Sequence, residues 1–129
     1  MNFGLIGAAG YIAPRHMKAM KALDGTLQTA FDPNDSVGVM DSYFPAARFF
    51  VDFERFAEHV SSLMAGKDRL DYIAVCSPNY LHRSHANYAL QAGADVICEK
   101  PLVLNPNDLD ALIDEASPFP NTKALPAVE

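Results

Sequence analysis

The chain has 129 residues, half hydrophobic and a fifth charged, which fits one globular domain able to bury its own core. Its 16 acidic residues against 10 basic ones give a net charge of −6. That balance argues against non-specific nucleic-acid binding, which needs clustered Lys and Arg to displace counterions. No stretch reaches the ~20 apolar residues of a membrane span, so no membrane partner is expected.

In chain order, Asn2 to Ile6 is a short apolar run closed by glycine and reads as a first strand. The apolar start as a whole is broken by Gly4, Gly7 and Gly10 and has no basic residue ahead of it, so it does not read as a signal peptide. Met17, Met20 and Leu23 recur at helical spacing over Ala13 to Leu23, with Gly25 just past the end. Leu27 to Phe31 reads as a second strand stopped by Asp32-Pro33-Asn34, and residues 35–47 as a loop with one helical turn. Arg48 to Val51 suggests a third strand. Phe53, Phe56, Ala57, Val60 and Leu63 or Met64 mark an amphipathic helix.

Tyr72 to Cys76 is continuously apolar, as expected of a central parallel strand covered on both faces. Ser77-Pro78-Asn79 breaks it, and a helix follows to about Ala92 with Gly93 as its stop. Asp95 to Cys98 is a fifth strand. Pro106 opens a last helix with Leu109, Leu112 and Ile113 inward. Strands alternating with helices over short connections predict an α/β fold of the Rossmann type, a doubly wound parallel sheet with helices on both faces.

Cys76 and Cys98 each end a hydrophobic run and read as reduced, buried thiols of a cytoplasmic protein. A metal site of Cys76 with His82 and His85 lacks the paired spacing of zinc ligands, and no metal is expected.

Gly7-Ala8-Ala9-Gly10 stands between the first strand and the first helix. Such a turn sets backbone N–H groups and the positive end of a helix dipole against a diphosphate, and small side chains let the phosphate approach. The match to G-x-G-x-x-G is imperfect: Ala9 stands at the second glycine and Ile12 at the last. Asp32 closes the second strand, 22 residues after Gly10. A carboxylate there accepts from both hydroxyls of an adenosine ribose and repels a 2′-phosphate, so NAD is expected over NADP. An Asp-Pro turn with no ligand is the plainer alternative. Tyr11 and Arg15 follow the turn, within reach of a pyrophosphate or a sugar nucleotide.

Ser77-Pro78-Asn79-Tyr80-Leu81-His82, Ala86, Ala89-Leu90, Ala92-Gly93 and Glu99-Lys100-Pro101 together closely resemble the glucose–fructose oxidoreductase / inositol dehydrogenase family of NAD(P)-dependent sugar oxidoreductases. The resemblance runs from about Phe3 to Ala116. It is nearer still to the UDP-N-acetylglucosaminuronate 3-dehydrogenases of bacterial surface-polysaccharide synthesis. The segments Gly7 to His16, Asp32 to Gly38, Cys76 to His82 and Ile97 to Leu102 carry that likeness.

The resemblance implies oxidation of a sugar C3 hydroxyl to a ketone, with hydride passing to NAD. It also implies a direct role for Lys100 as proton-handling group, touching cofactor and substrate. To act as a base, Lys100 needs a pKa below its ordinary ~10.4. Pro101 is expected to fix the backbone so that Lys100 points inward. Cofactor contacts are expected from Gly7, Ala8, Ala9, Gly10, Tyr11, Ile12, Asp32, Ser77, Pro78, Asn79, His82, Glu99, Lys100 and Pro101, and substrate contacts from Arg15 and Lys100. His82 is equally readable as packing against its own helix. His85 reads as structural, and His16 and His59 have no evident partner.

Members of that family carry a second α/β domain that supplies most of the sugar pocket. Residues 1–116 read as the NAD-binding domain and 117–129 as a Pro-rich tail or stub, with a remnant sixth strand near Lys123 to Val128. The expected whole is therefore the incomplete cofactor part of a dehydrogenase, with a missing domain or partner chain and an open sheet edge for self-association. A non-catalytic dinucleotide-binding or interaction module is the alternative. A flavodoxin-like or response-regulator domain lacks its acidic cluster here.

Overall fold

The computed structural model describes residues 1–98, apart from the Asn79 side chain, and the backbone of 124–126. The elements are β1 (Asn2–Ile6), α1 (Ala13–Ala22), β2 (Thr26–Phe31), α2 (Gly38–Tyr43), β3 (Arg48–Phe50), α3 (Phe53–Met64), β4 (Tyr72–Val75), α4 (His82–Ala92), β5 (Asp95–Cys98) and β6 (Ala124–Pro126). The strands form one parallel sheet in the order β3-β2-β1-β4-β5-β6. The predicted Rossmann-type α/β architecture is therefore present. The chain order reverses between β1 and β4, and ligands of open α/β sheets gather at that switch point, beyond the carboxyl ends of the strands.

Side-chain alternation along the strands divides the core in two. On one face Ile6, Ile73, Val75 and Val96 pack with Phe56 and Val60 of α3 and Ala86, Ala89 and Leu90 of α4. On the other, Phe3, Leu5, Leu27, Ala74 and Cys76 pack with Ala13, Met17 and Met20 of α1 and Met40 of α2. Burying strands on both faces explains their unbroken apolar runs. Cys76 and Cys98 are buried and are not joined in a disulfide.

Three expectations shift. The α1 period included Leu23, but the helix ends at Ala22 and Leu23 is 61% exposed. The left-handed residue after that helix is Asp24 (φ 58°), a conformation Asp tolerates, and not Gly25. Gly25 is needed for space, because a Cβ there would lie 2.4 Å from a ring carbon of Phe3. Residues 35–47 do hold one short helix, α2, while β3 stops at Phe50 and β4 at Val75, each a residue short of its apolar run. Gly93 caps α4 at φ 100°. A short strand pairs with β5 where the remnant was expected, at 124–126. The helix expected after Pro106 lies outside the described residues.

Candidate functional site

The turn after β1 is folded onto the turn after β4. Gly7 has φ 92°, and a Cβ on it would lie 2.5 Å from the Ser77 backbone nitrogen. A Cβ on Gly10 would lie 2.7 Å from the Cys76 carbonyl oxygen. Both glycines are therefore demanded by backbone-to-backbone contact inside the protein, before any phosphate is considered. Gly7 and Ala8 both donate to the Phe31 carbonyl, at 2.7 and 3.1 Å, and Gly10 donates to the Gly7 carbonyl at 2.9 Å. Among the described residues, none accepts a hydrogen bond from the Tyr11 or Ile12 N–H at the start of α1. These amides, without an acceptor among the described residues, stand at a ten-residue helix, where an anion is favoured by dipole and donors alike.

Asp32 closes β2 beside this turn and is only 9% exposed. Its Oδ2 accepts from Ala9 N–H at 3.0 Å, and its Oδ1 accepts from Asn34 N–H at 2.8 Å. The carboxylate thus both ties the glycine turn to β2 and begins an Asx turn across Pro33. Each oxygen keeps lone-pair capacity for a further donor.

A crevice of about 400 Å³ opens at the switch point. Its lining joins the glycine turn and the Asp32-Pro33-Asn34 turn to Cys76, Ser77 and Pro78 after β4 and to Phe53, Leu81 and His85. Its size and its apolar walls with a few convergent polar groups are those of a small-molecule site.

The predicted site residues distribute unevenly. Gly7, Ala9, Gly10, Asp32, Ser77 and Pro78 share the crevice. Ala8 is buried beneath the turn, while Tyr11 is 99% exposed and Arg15 lies on the exposed side of α1. Asn79 starts a 3-10 turn, Asn79–Leu81, that leads into α4. Glu99, Lys100 and Pro101 lie outside the described residues.

His82, the histidine expected at the cofactor, does not line the crevice. It is 2% exposed, and its Nε2 is 2.6 Å from the Ser77 carbonyl oxygen. The histidine that lines the crevice is His85, which the sequence reading set aside as structural. Its Nδ1 is 2.7 Å from Ser77 Oγ and its ring stacks on Phe53 at 5.6 Å between centroids, 11° from parallel. Burial, and secondarily the charge of His82, push its pKa below the ordinary histidine value. Phe53 and Tyr80 were also missed. Phe53 was counted as a core position of its helix, and Tyr80 carries no periodic signal in a turn.

His59 does have a partner: its Nδ1 is 2.9 Å from Thr29 Oγ1. Among the described residues no helix is long and apolar enough to cross a membrane, and no three His, Cys, Asp or Glu side chains converge as for a metal.

Residues 1–120 match the family described as an oxidoreductase family with an NAD-binding Rossmann fold. The WlbA (WbpB) dehydrogenase from Thermus thermophilus, solved with NAD and UDP-GlcNAcA, is 40% identical with a TM-score of 0.91, over 96% of this chain and 40% of that one. A UDP-N-acetylglucosamine 3-dehydrogenase, GnnA from Acidithiobacillus ferrooxidans, is 26% identical with a TM-score of 0.70, over 92% of this chain and 35% of that one. The glucose-6-phosphate 3-dehydrogenase of Bacillus subtilis is 33% identical over 117 residues, which are 89% of this chain and 30% of that protein. The chain thus spans roughly a third of the length of these relatives.

Proposed function

This chain belongs to the Gfo/Idh/MocA oxidoreductase family through its NAD-binding Rossmann domain, and from that membership we propose that it is the cofactor half of an NAD-dependent sugar-nucleotide dehydrogenase. The reaction proposed is oxidation of the C3 hydroxyl of a UDP-N-acetyl-amino-sugar uronate. What chiefly supports the cofactor is one turn that carries two amides, of Tyr11 and Ile12, without an acceptor among the described residues and that is hydrogen bonded through Ala9 N–H to the Asp32 carboxylate. The amides suit a diphosphate. The carboxylate suits the ribose hydroxyls and repels a 2′-phosphate by ~1–4 kcal/mol at effective dielectrics between ~80 and ~20. When bound, NAD supplies the hydride acceptor.

The chain's own residues divide the remaining work. Gly7, Ala8, Ala9, Gly10, Tyr11 and Ile12 form the anion-facing turn; Ser77, Pro78, Asn79, Glu99 and Pro101 are proposed for the opposite wall. Lys100 is proposed to hold or remove the proton of the reacting hydroxyl, and Arg15 to reach the sugar nucleotide. The sugar itself rests on similarity to relatives solved with UDP-GlcNAcA. Residues 1–116 are proposed as the whole cofactor domain and 117–129 as the lead into a substrate domain, in the same polypeptide or a partner. The cytoplasm is the proposed compartment, supported by two buried cysteines that carry no disulfide.

Titration of the chain with NAD and NADP tests the cofactor: NAD is expected to bind more tightly, and equal or tighter NADP binding refutes the assignment. Lys100→Ala in a protein reconstituted with a substrate domain tests the chemistry. Turnover is expected to vanish with NAD affinity kept. A protein that binds NAD yet never turns over when so completed is the non-catalytic module instead.

A further inference from the structure

The crevice lining brings apolar and aromatic side chains together with Asp32 and the glycine turn. If Asp32 takes the adenosine ribose, the flat purine joined to that ribose is the group nearest to meet Phe53, Leu81 and His85, which line the same crevice. Resting on the dinucleotide reading above, we propose that His85 is a cofactor-positioning residue: stacked on Phe53 and hydrogen bonded to Ser77 Oγ, it forms the purine wall and fixes the direction of the Ser77 hydroxyl.

Three observations carry this. His85 lies on the crevice, whereas its neighbour His82 is turned into the fold against the Ser77 carbonyl. Its ring cannot swing freely, because one face rests on Phe53 and Nδ1 is held at 2.7 Å by Ser77. Phe53 is itself wedged edge-on against Phe31 and Tyr88, with centroids 5.1 and 5.0 Å away, so the platform beneath the imidazole is rigid. A preorganised wall costs a ligand little ordering entropy on binding. The Ser77 hydroxyl, in turn, sits on the strand end that abuts the glycine turn. His85 thereby ties α4 to the loop nearest the phosphates. Burial favours its neutral form, which lets Nδ1 accept from the hydroxyl.

The test uses the 129-residue chain and three probes: NAD, AMP for the adenine half and nicotinamide mononucleotide for the other. His85→Phe keeps a ring on Phe53 and removes the hydrogen bond; His85→Asn keeps an acceptor near the Nδ1 position and removes the stack. Each is expected to weaken NAD and AMP binding by about two- to tenfold, the range of a single net hydrogen bond or aromatic contact. Affinity for nicotinamide mononucleotide should be unchanged, a selectivity that general damage to the fold does not produce. Ser77→Ala combined with His85→Phe should cost no more than either alone, since both delete one bond. Wild-type chain that binds NAD and AMP with affinities that neither His85 variant alters overturns the inference and leaves the dinucleotide reading standing. Wild-type chain that binds none of the three probes overturns both. Loss of all three probes together in folded variants also overturns it, by showing a merely structural histidine.

Discussion

Asp32 is held from two sides, by Ala9 N–H on one oxygen and Asn34 N–H on the other. A carboxylate so fixed cannot rotate away from an incoming phosphate. Asp32→Asn keeps an acceptor and removes the charge, so the preference for NAD over NADP should shrink by about fivefold or more, checked by titrating both cofactors. Position alone, at the end of the second strand, made this residue legible in the sequence. His85 was not legible, because two histidines three residues apart on one helix look alike until the packing shows which one faces the crevice. Glycines invite a parallel contrast. Gly7→Ala should destabilise the fold by at least ~1–3 kcal/mol, because it combines a left-handed φ with a clash against backbone. Gly38→Ala, with nothing within 4 Å of its added methyl and a helical position, should stabilise by about 0.4–1 kcal/mol. Urea unfolding of both variants measures the difference.

Helices and strands followed their apolar periods closely, since each is buried on the face the period marks. The errors came at ends, where tertiary contact overrides pattern: Leu23 turns outward once α1 stops, and Asp24 takes the bend that Gly25 seemed made for. The same burial gives α3 and α4 a pH signature. His59 on α3 has its pKa lowered by burial and then by Arg48; His85 on α4 by burial and then by His82. In the folded protein both resist a proton that the unfolded chain accepts near 6.5. The unfolded state therefore binds more protons across the window from about 6.5 down to the lowered values, and stability must fall as pH falls through it. The urea midpoint should drop on acidification below about pH 6.5, and His85→Phe should flatten that slope.

For the molecule as a whole, the order of the sheet was readable from the alternation of strands and helices, and the crevice from where that order reverses. The substrate side of the proposed function was not, and the chain spans roughly a third of the length of its relatives. Orienting a substrate against its reaction partner supplies ~7–11 kcal/mol of barrier reduction in well-organised sites. If the proposed function holds, the 129-residue chain alone should bind NAD weakly and turn over little or no UDP-sugar, as followed by NADH absorbance, and an added substrate domain should raise the rate.

Because the main chain of Cys76 and Ser77 fills the space where methyl groups at positions 7 and 10 would go, selection for folding is enough to preserve both glycines. A descendant that had abandoned its coenzyme would still display them. The glycine pair therefore reports two loops pressed together, and testimony to a guest must come from the rest of the crevice.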